Sequence, residues 1–127
     1  MSRNVCWRDG RSRVYAVEVG QESGINIGYP AALSAAGELR PVGVDAADLV
    51  PGIVAQFWPA AAPDGQSLAQ VDIGVVQLPV DNTVTPVMLL RDVGVTPDGV
   101  ATELVDGVNR LGRLVELSDG GAWVEVG

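Results

Sequence analysis

The chain has 127 residues and a formal net charge of −8, with 47% hydrophobic and 19% charged residues, proportions that suit one folded domain rather than a disordered segment. It has no histidine, and all eight of its basic residues are arginines. Those two absences exclude Ser-His-Asp and Cys-His nucleophilic pairs, imidazole proton shuttles, His-rich zinc sites, lysine Schiff bases and the phosphate-binding P-loop.

The arginines are unevenly placed. Residues 1–13 carry Arg3, Arg8, Arg11 and Arg13 against Asp9, a local balance of +3, which leaves −11 on residues 14–127. The split predicts a flexible basic N-terminal arm over 1–13 attached to a single acidic β domain over 14–127. Deleting residues 2–13 is then expected to leave a folded body that binds its partner less well. Trp7 amid the arginines is the kind of indole that anchors an interface, so Arg3, Trp7, Arg8, Arg11 and Arg13 are candidate partner-binding residues. No second basic patch continues a phosphate-tracking path, which disfavours nucleic acid as the partner. Cys6, the single cysteine, has no partner for a disulfide and reads as a free thiol made in a reducing cytoplasm. The opening residues lack the apolar core of a signal peptide, and no apolar run approaches the ~18 residues of a membrane span, so a soluble protein is expected.

Valine occurs 22 times in the chain against a single Phe and two Tyr, and beyond the arm short apolar runs are separated by Gly, Pro, Asn and Asp. Residues 14–19 read as a first strand, with a turn over 20–24, and residues 25–27 as a short half-buried strand before Tyr29 and Pro30. The alanine-rich stretch 31–36 is the one segment with helical character, either a short helix ended by Gly37 or a loop with a single helical turn. From Pro41 strands resume: a Pro51-Gly52 turn followed by a strand to Trp58, then an exposed loop over 59–65. Residues 70–80 form the longest strand-like run. Its alternation places Val71, Ile73 and Val75 on one face, then slips so that Val76 and Leu78 continue on the other, with Gly74 marking a bulge or bend. Residues 83–90 read as an edge strand containing Pro86, residues 93–95 and 100–105 as strands around a Pro97-Asp98-Gly99 turn, and 111–117 with 122–126 as a closing hairpin. Eight or so short strands indicate a small antiparallel β-barrel or β-sandwich with at most one short helix.

Carboxylates are the only acid-base groups in quantity. Asp45, Asp48, Asp72, Asp81, Glu116 and Asp119 make a two-carboxylate glycosidase formally possible, but the chain lacks the aromatics that line a sugar cleft. No Asp-x-Asp-x-Asp-Gly calcium loop and no Gly-x-Ser-x-Gly elbow is present. The chain is therefore expected not to be an enzyme and to use no cofactor or metal. Phe57 and Trp58 are adjacent and face opposite sides of their strand, so one of them should meet solvent or a partner, and both are candidate partner-binding residues. Trp123, in the closing hairpin, reads as a core lid or cross-strand partner.

The Ala/Val/Gly-rich β body, the loop at 29–39 (Tyr-Pro-Ala-Ala-Leu-Ser-Ala-Ala-Gly-Glu-Leu), the phrase Gly-Ile-Val-Ala at 52–55 and the ending at 111–126 together resemble tailed-phage capsid decoration proteins, also called head-stabilising or cement proteins. The resemblance implies a small β protein, commonly a homotrimer, that binds the virion exterior and bridges major capsid protein subunits against internal DNA pressure. It implies an N-terminal arm ordered on the shell, here the segment with Arg3, Trp7, Arg8, Arg11 and Arg13, whose guanidinia pair with shell carboxylates. Another virion β module, such as a head-tail connector or tail component, is the alternative, followed by a carbohydrate-binding module.

Overall fold

A computed structural model of the chain describes the backbone of residues 6–119 and 121–127, with side chains from residue 11 onward. Five strands fill the first two thirds: β1 (Cys6–Ala16), β2 (Pro30–Leu33), β3 (Leu39–Pro41), β4 (Leu49–Trp58) and β5 (Leu68–Leu78). Four follow: β6 (Asp92–Val95), β7 (Ala101–Thr102), β8 (Asn109–Ser118) and β9 (Gly121–Val126). They form one curled antiparallel sheet in the order β3-β2-β4-β5-β9-β8-β6-β7, with β1 paired to β5 beside that path. The all-β, small-barrel expectation holds. Helical structure among the described residues is confined to two 3₁₀ turns, Glu22–Gly24 and Pro86–Met88.

The sheet forks on β5. One edge of β5 pairs with β1 along its length, from Leu68 opposite Ala16 to Gln77 opposite Cys6. The other edge is shared end to end: residues 68–72 pair with β4, and residues 74–78 pair with β9. Each branch then curls back. The first, β3-β2-β4-β5-β1, is drawn together by a bridge between Val17 and Leu39, where the Glu18 N–H donates to the Leu39 carbonyl at 2.9 Å. The second, β5-β9-β8-β6-β7, is tied by a bridge between Val80 and Ala101, where the Ala101 N–H donates to the Pro79 carbonyl at 2.8 Å.

Each curl has its own aliphatic core. Val17, Ile25, Leu39, Val54, Ala69 and Val71 bury into the first, with Tyr15, Leu33 and Phe57 packed against them. The second is larger and includes Ile53, Val76, Leu78, Val93, Leu111 and Val124. Burying one such aliphatic side chain contributes about 1.5–3 kcal/mol, so the second curl carries most of the hydrophobic stabilisation. The alternation slip in β5 is what lets one strand serve both. Ala69 and Val71 face the first core, Val76 and Leu78 the second, and the change of parity falls at Gly74, whose φ of +133° strongly favours glycine. Opposite it, Asp9 and Gly10 form the extra length of a bulge in β1.

Several elements differ from the sequence-based expectation. The boundary expected at residue 13 falls inside β1, because residues 6–13 continue the ladder on β5 that Val14 and Tyr15 begin; Arg3 lies outside the described residues. Residues 31–36 are not helical: Ala31 and Ala32 sit in β2, and their small side chains bury into the two different cores, which outweighs alanine's helix propensity. Pro51 and Gly52 lie within β4 rather than in a turn, since a Cβ on Gly52 would collide with the Asp72 carbonyl and only glycine lets β4 approach β5 there. Residues 83–90 form a turn around Pro86, not an edge strand, because proline at the start of a 3₁₀ turn forfeits no hydrogen bond. Residues 25–27 are irregular, although Ile25 is still buried, and the strand expected at 100–105 shortens to β7. The short strand β3 had no signal of its own beyond three residues of mixed polarity.

Candidate functional site: the mouth of the first curl

Alternation along β1 puts Arg11, Arg13 and Tyr15 on one face, opposite Ile73, Val71 and Ala69 of β5. That face looks into the first curl. Tyr15 reaches its core, whereas Arg11 and Arg13, nearer the open end, remain exposed. Below them is a cavity of about 200 Å3 between β1 and the β2–β4 side of the curl, lined by Leu33, Leu49, Pro51 and Ile73 as well as Tyr15. Leu49 is 59% exposed, Ile73 only 5%. Gly127 also lines the cavity, and among the described residues no carboxylate side chain does. Neither guanidinium has an ion-pair partner among the described residues, in contrast to Arg40, Arg110 and Arg113. Two cations with no ion-pair partner among the described residues, set over an apolar cleft, form an attractive field for carboxylates.

The other polar clusters hold loops. Arg40 grips Asp48 through Nε–Oδ2 at 2.6 Å and Nη2–Oδ1 at 3.0 Å, and Asp48 is 6% exposed. Glu18 and Asp45 stand farther from the same guanidinium, at 3.8 and 3.6 Å. The hydrogen bond that Arg40 donates to Asp48 is the main cause of an upward shift in the Arg40 pKa, opposed by desolvation. Asn109, buried in β8, completes the arrangement: its Nδ2 donates to the carbonyls of Asp45 and Asp48 at 2.8 and 2.9 Å, and its Oδ1 accepts the Gly43 N–H at 3.0 Å. This clamp fastens the 43–48 loop of the first curl to a strand of the second. The acids that a glycosidase reading would need are thus dispersed: Asp48 is bound by arginine, Asp72 lies mid-strand opposite Ile53, and Asp81 closes a turn by accepting the Thr83 N–H at 3.0 Å. The Asp81 carboxyl is held below its ordinary value by the hydroxyls of Thr102 and Thr83. Among the described residues no three His, Cys, Asp or Glu side chains are grouped to hold a metal ion. Nor is any helix among the described residues long and apolar enough to cross a membrane.

Of the candidate residues whose side chains are described, Arg11 and Arg13 are the two that the structure brings together. The backbones of Trp7 and Arg8 lie farther along the same strand, opposite Val76 and Val75, and their side chains fall outside the description. Phe57 and Trp58 do split as expected. Phe57 packs on the first core and Trp58 is 39% exposed, but at the end of β4 remote from Leu49, so neither reaches the mouth. Trp123 is not a core lid: it is half-buried on the face of β9 opposite Val124, with Gln77 and Glu116 as its cross-strand neighbours. Leu33, Leu49 and Pro51 went unnoticed because nothing local marks them. They come from two strands separated by the β3 hairpin that pair side by side, Leu33 opposite Leu49, and they face Arg11 and Arg13 only when the sheet curls. No protein-family model, curated protein or solved structure matches the chain.

Proposed function

We propose that the chain is a capsid decoration protein of a tailed phage, a non-enzymatic module that docks on the outside of the assembled head, bridges major capsid protein subunits and stabilises the shell. The observation that carries this reading is the mouth of the first curl, where Arg11 and Arg13 have no ion-pair partner among the described residues and stand over an apolar cleft, while Asp48 and Asp81 are engaged in holding loops. A surface of that kind recognises protein rather than turning over a substrate. The likeness of the 29–39 loop and the 111–126 ending to decoration proteins supplies the class of partner. Homotrimers at the threefold positions would multiply weak contacts into firm attachment.

Co-sedimentation with mature, DNA-free phage heads tests it. Saturable binding together with a higher rupture temperature of the heads is the expected result. Failure to bind any head, with rings of the free protein in electron micrographs, would replace this reading with a head-tail connector.

A further inference from the structure

β1 is paired on one edge only. Its ladder to β5 runs from Cys6 to Ala16, and no described strand lies along its other side; contact with β3 begins only at Val17. An unpaired edge of this kind accepts an added strand, whose backbone groups complete the ladder and whose alternate side chains share a face with those of β1. On the mouth side that face presents, in order, Arg11, Arg13 and Tyr15 beside the apolar cavity. The two guanidinium-bearing positions lie two residues apart, about 6.6 Å along the strand, the same repeat as alternate residues of an incoming strand.

We infer that the first curl receives an extended acidic segment of the partner protein as an antiparallel strand on β1, with the pattern apolar-x-acid-x-acid. In that register the apolar residue faces Tyr15 and enters the cavity, and the two carboxylates face Arg13 and then Arg11. The cavity, about 200 Å3, holds one bulky side chain and falls short of the roughly 300–1,000 Å3 that small-molecule sites occupy. A second copy of this chain cannot supply the segment. None of its sixteen acids lies two positions from another, so the acid-x-acid spacing occurs nowhere in it. The partner is therefore a different protein. The inference rests on the reading of the chain as a docking module and specifies the chemistry of the docked segment.

The test uses the full chain and blocked synthetic peptides containing Leu-Thr-Glu-Thr-Glu, its reversed order Glu-Thr-Glu-Thr-Leu, and Leu-Thr-Gln-Thr-Gln. Saturable binding of the first peptide, at least tenfold tighter than either control, with slowed amide exchange along residues 11–15, is the expected result. R11Q/R13Q, which alters two exposed side chains, should weaken that peptide at least tenfold while leaving the far-ultraviolet spectrum unchanged. Equal affinity for all three peptides, no binding, or protection elsewhere would overturn the inference. So would binding to phosphatidylserine vesicles, lost in R11Q/R13Q, without binding to the peptide. Head binding that survives R11Q/R13Q would overturn this site and leave the decoration reading intact. Peptide binding without head binding would do the reverse.

Discussion

Asn109 shows how one residue joins distant parts of the chain. Its amide makes three hydrogen bonds to the 43–48 loop from a position 1% exposed. Asn109→Ala leaves the Gly43 N–H and the buried Asp48 carbonyl without this partner, while the Asp45 carbonyl keeps the Asp48 N–H, and it should lower unfolding free energy by about 1–3 kcal/mol in urea titrations. Asp81 sets a pH dependence. Its folded carboxyl titrates below its ordinary 3.8, so in that range the unfolded chain takes up the proton first. The contribution is full above the ordinary value and is lost as pH falls through the folded one. Asp81→Asn should flatten the decline of melting temperature below pH 4, measured against the parent in thermal scans. Asp92 shifts in the same direction because Arg110 donates to it, but that pair is 44–46% exposed and salt screens it.

At the scale of the strand, β1 and β5 decide whether the first curl exists. Six described pairs between residues 6–13 and β5 would be lost on deleting residues 2–13, which leaves that edge of β5 paired only by residues 14–16. The truncated chain should therefore be destabilised by about 3 kcal/mol or more, read as a lower urea midpoint, contrary to the folded remnant that a detachable arm implies. Gly74→Val should cost about 1–3 kcal/mol by placing a β-branched residue at φ +133°, and should broaden unfolding as the two cores lose their common strand. The change of face at Gly74 was legible because a change in hydrophobic parity is written directly in residues 71–78, whereas the bulge itself lies opposite it in β1. The helical expectation at 31–36 failed for a complementary reason. Alanine's local preference is a few tenths of a kcal/mol per residue, and burial of Ala31 and Ala32 on both faces of a paired strand exceeds it.

For the whole molecule, the separation of a local +3 from a body of −11 makes association with an acidic surface electrostatic in character. If the chain docks on heads as proposed, that binding should weaken at least about tenfold between 50 and 500 mM NaCl, followed by co-sedimentation, because the Debye length shrinks from well over 10 Å to a few ångströms. Composition alone determined that the chain is β, that its cores are aliphatic, and that histidine and lysine chemistry is closed to it, since these follow from residue types and period-two alternation. It also marked Arg11 and Arg13. What composition and alternation left undecided was that these arginines belong to a strand, that Leu33, Leu49 and Pro51 lie beside them, and that Asp48 is consumed by Arg40. Those relations join residues far apart in the chain. They exist only because β5 pairs with β4 on one half and β9 on the other, a choice among competing strand partners that is settled by how two cores pack and not by any local run of residues.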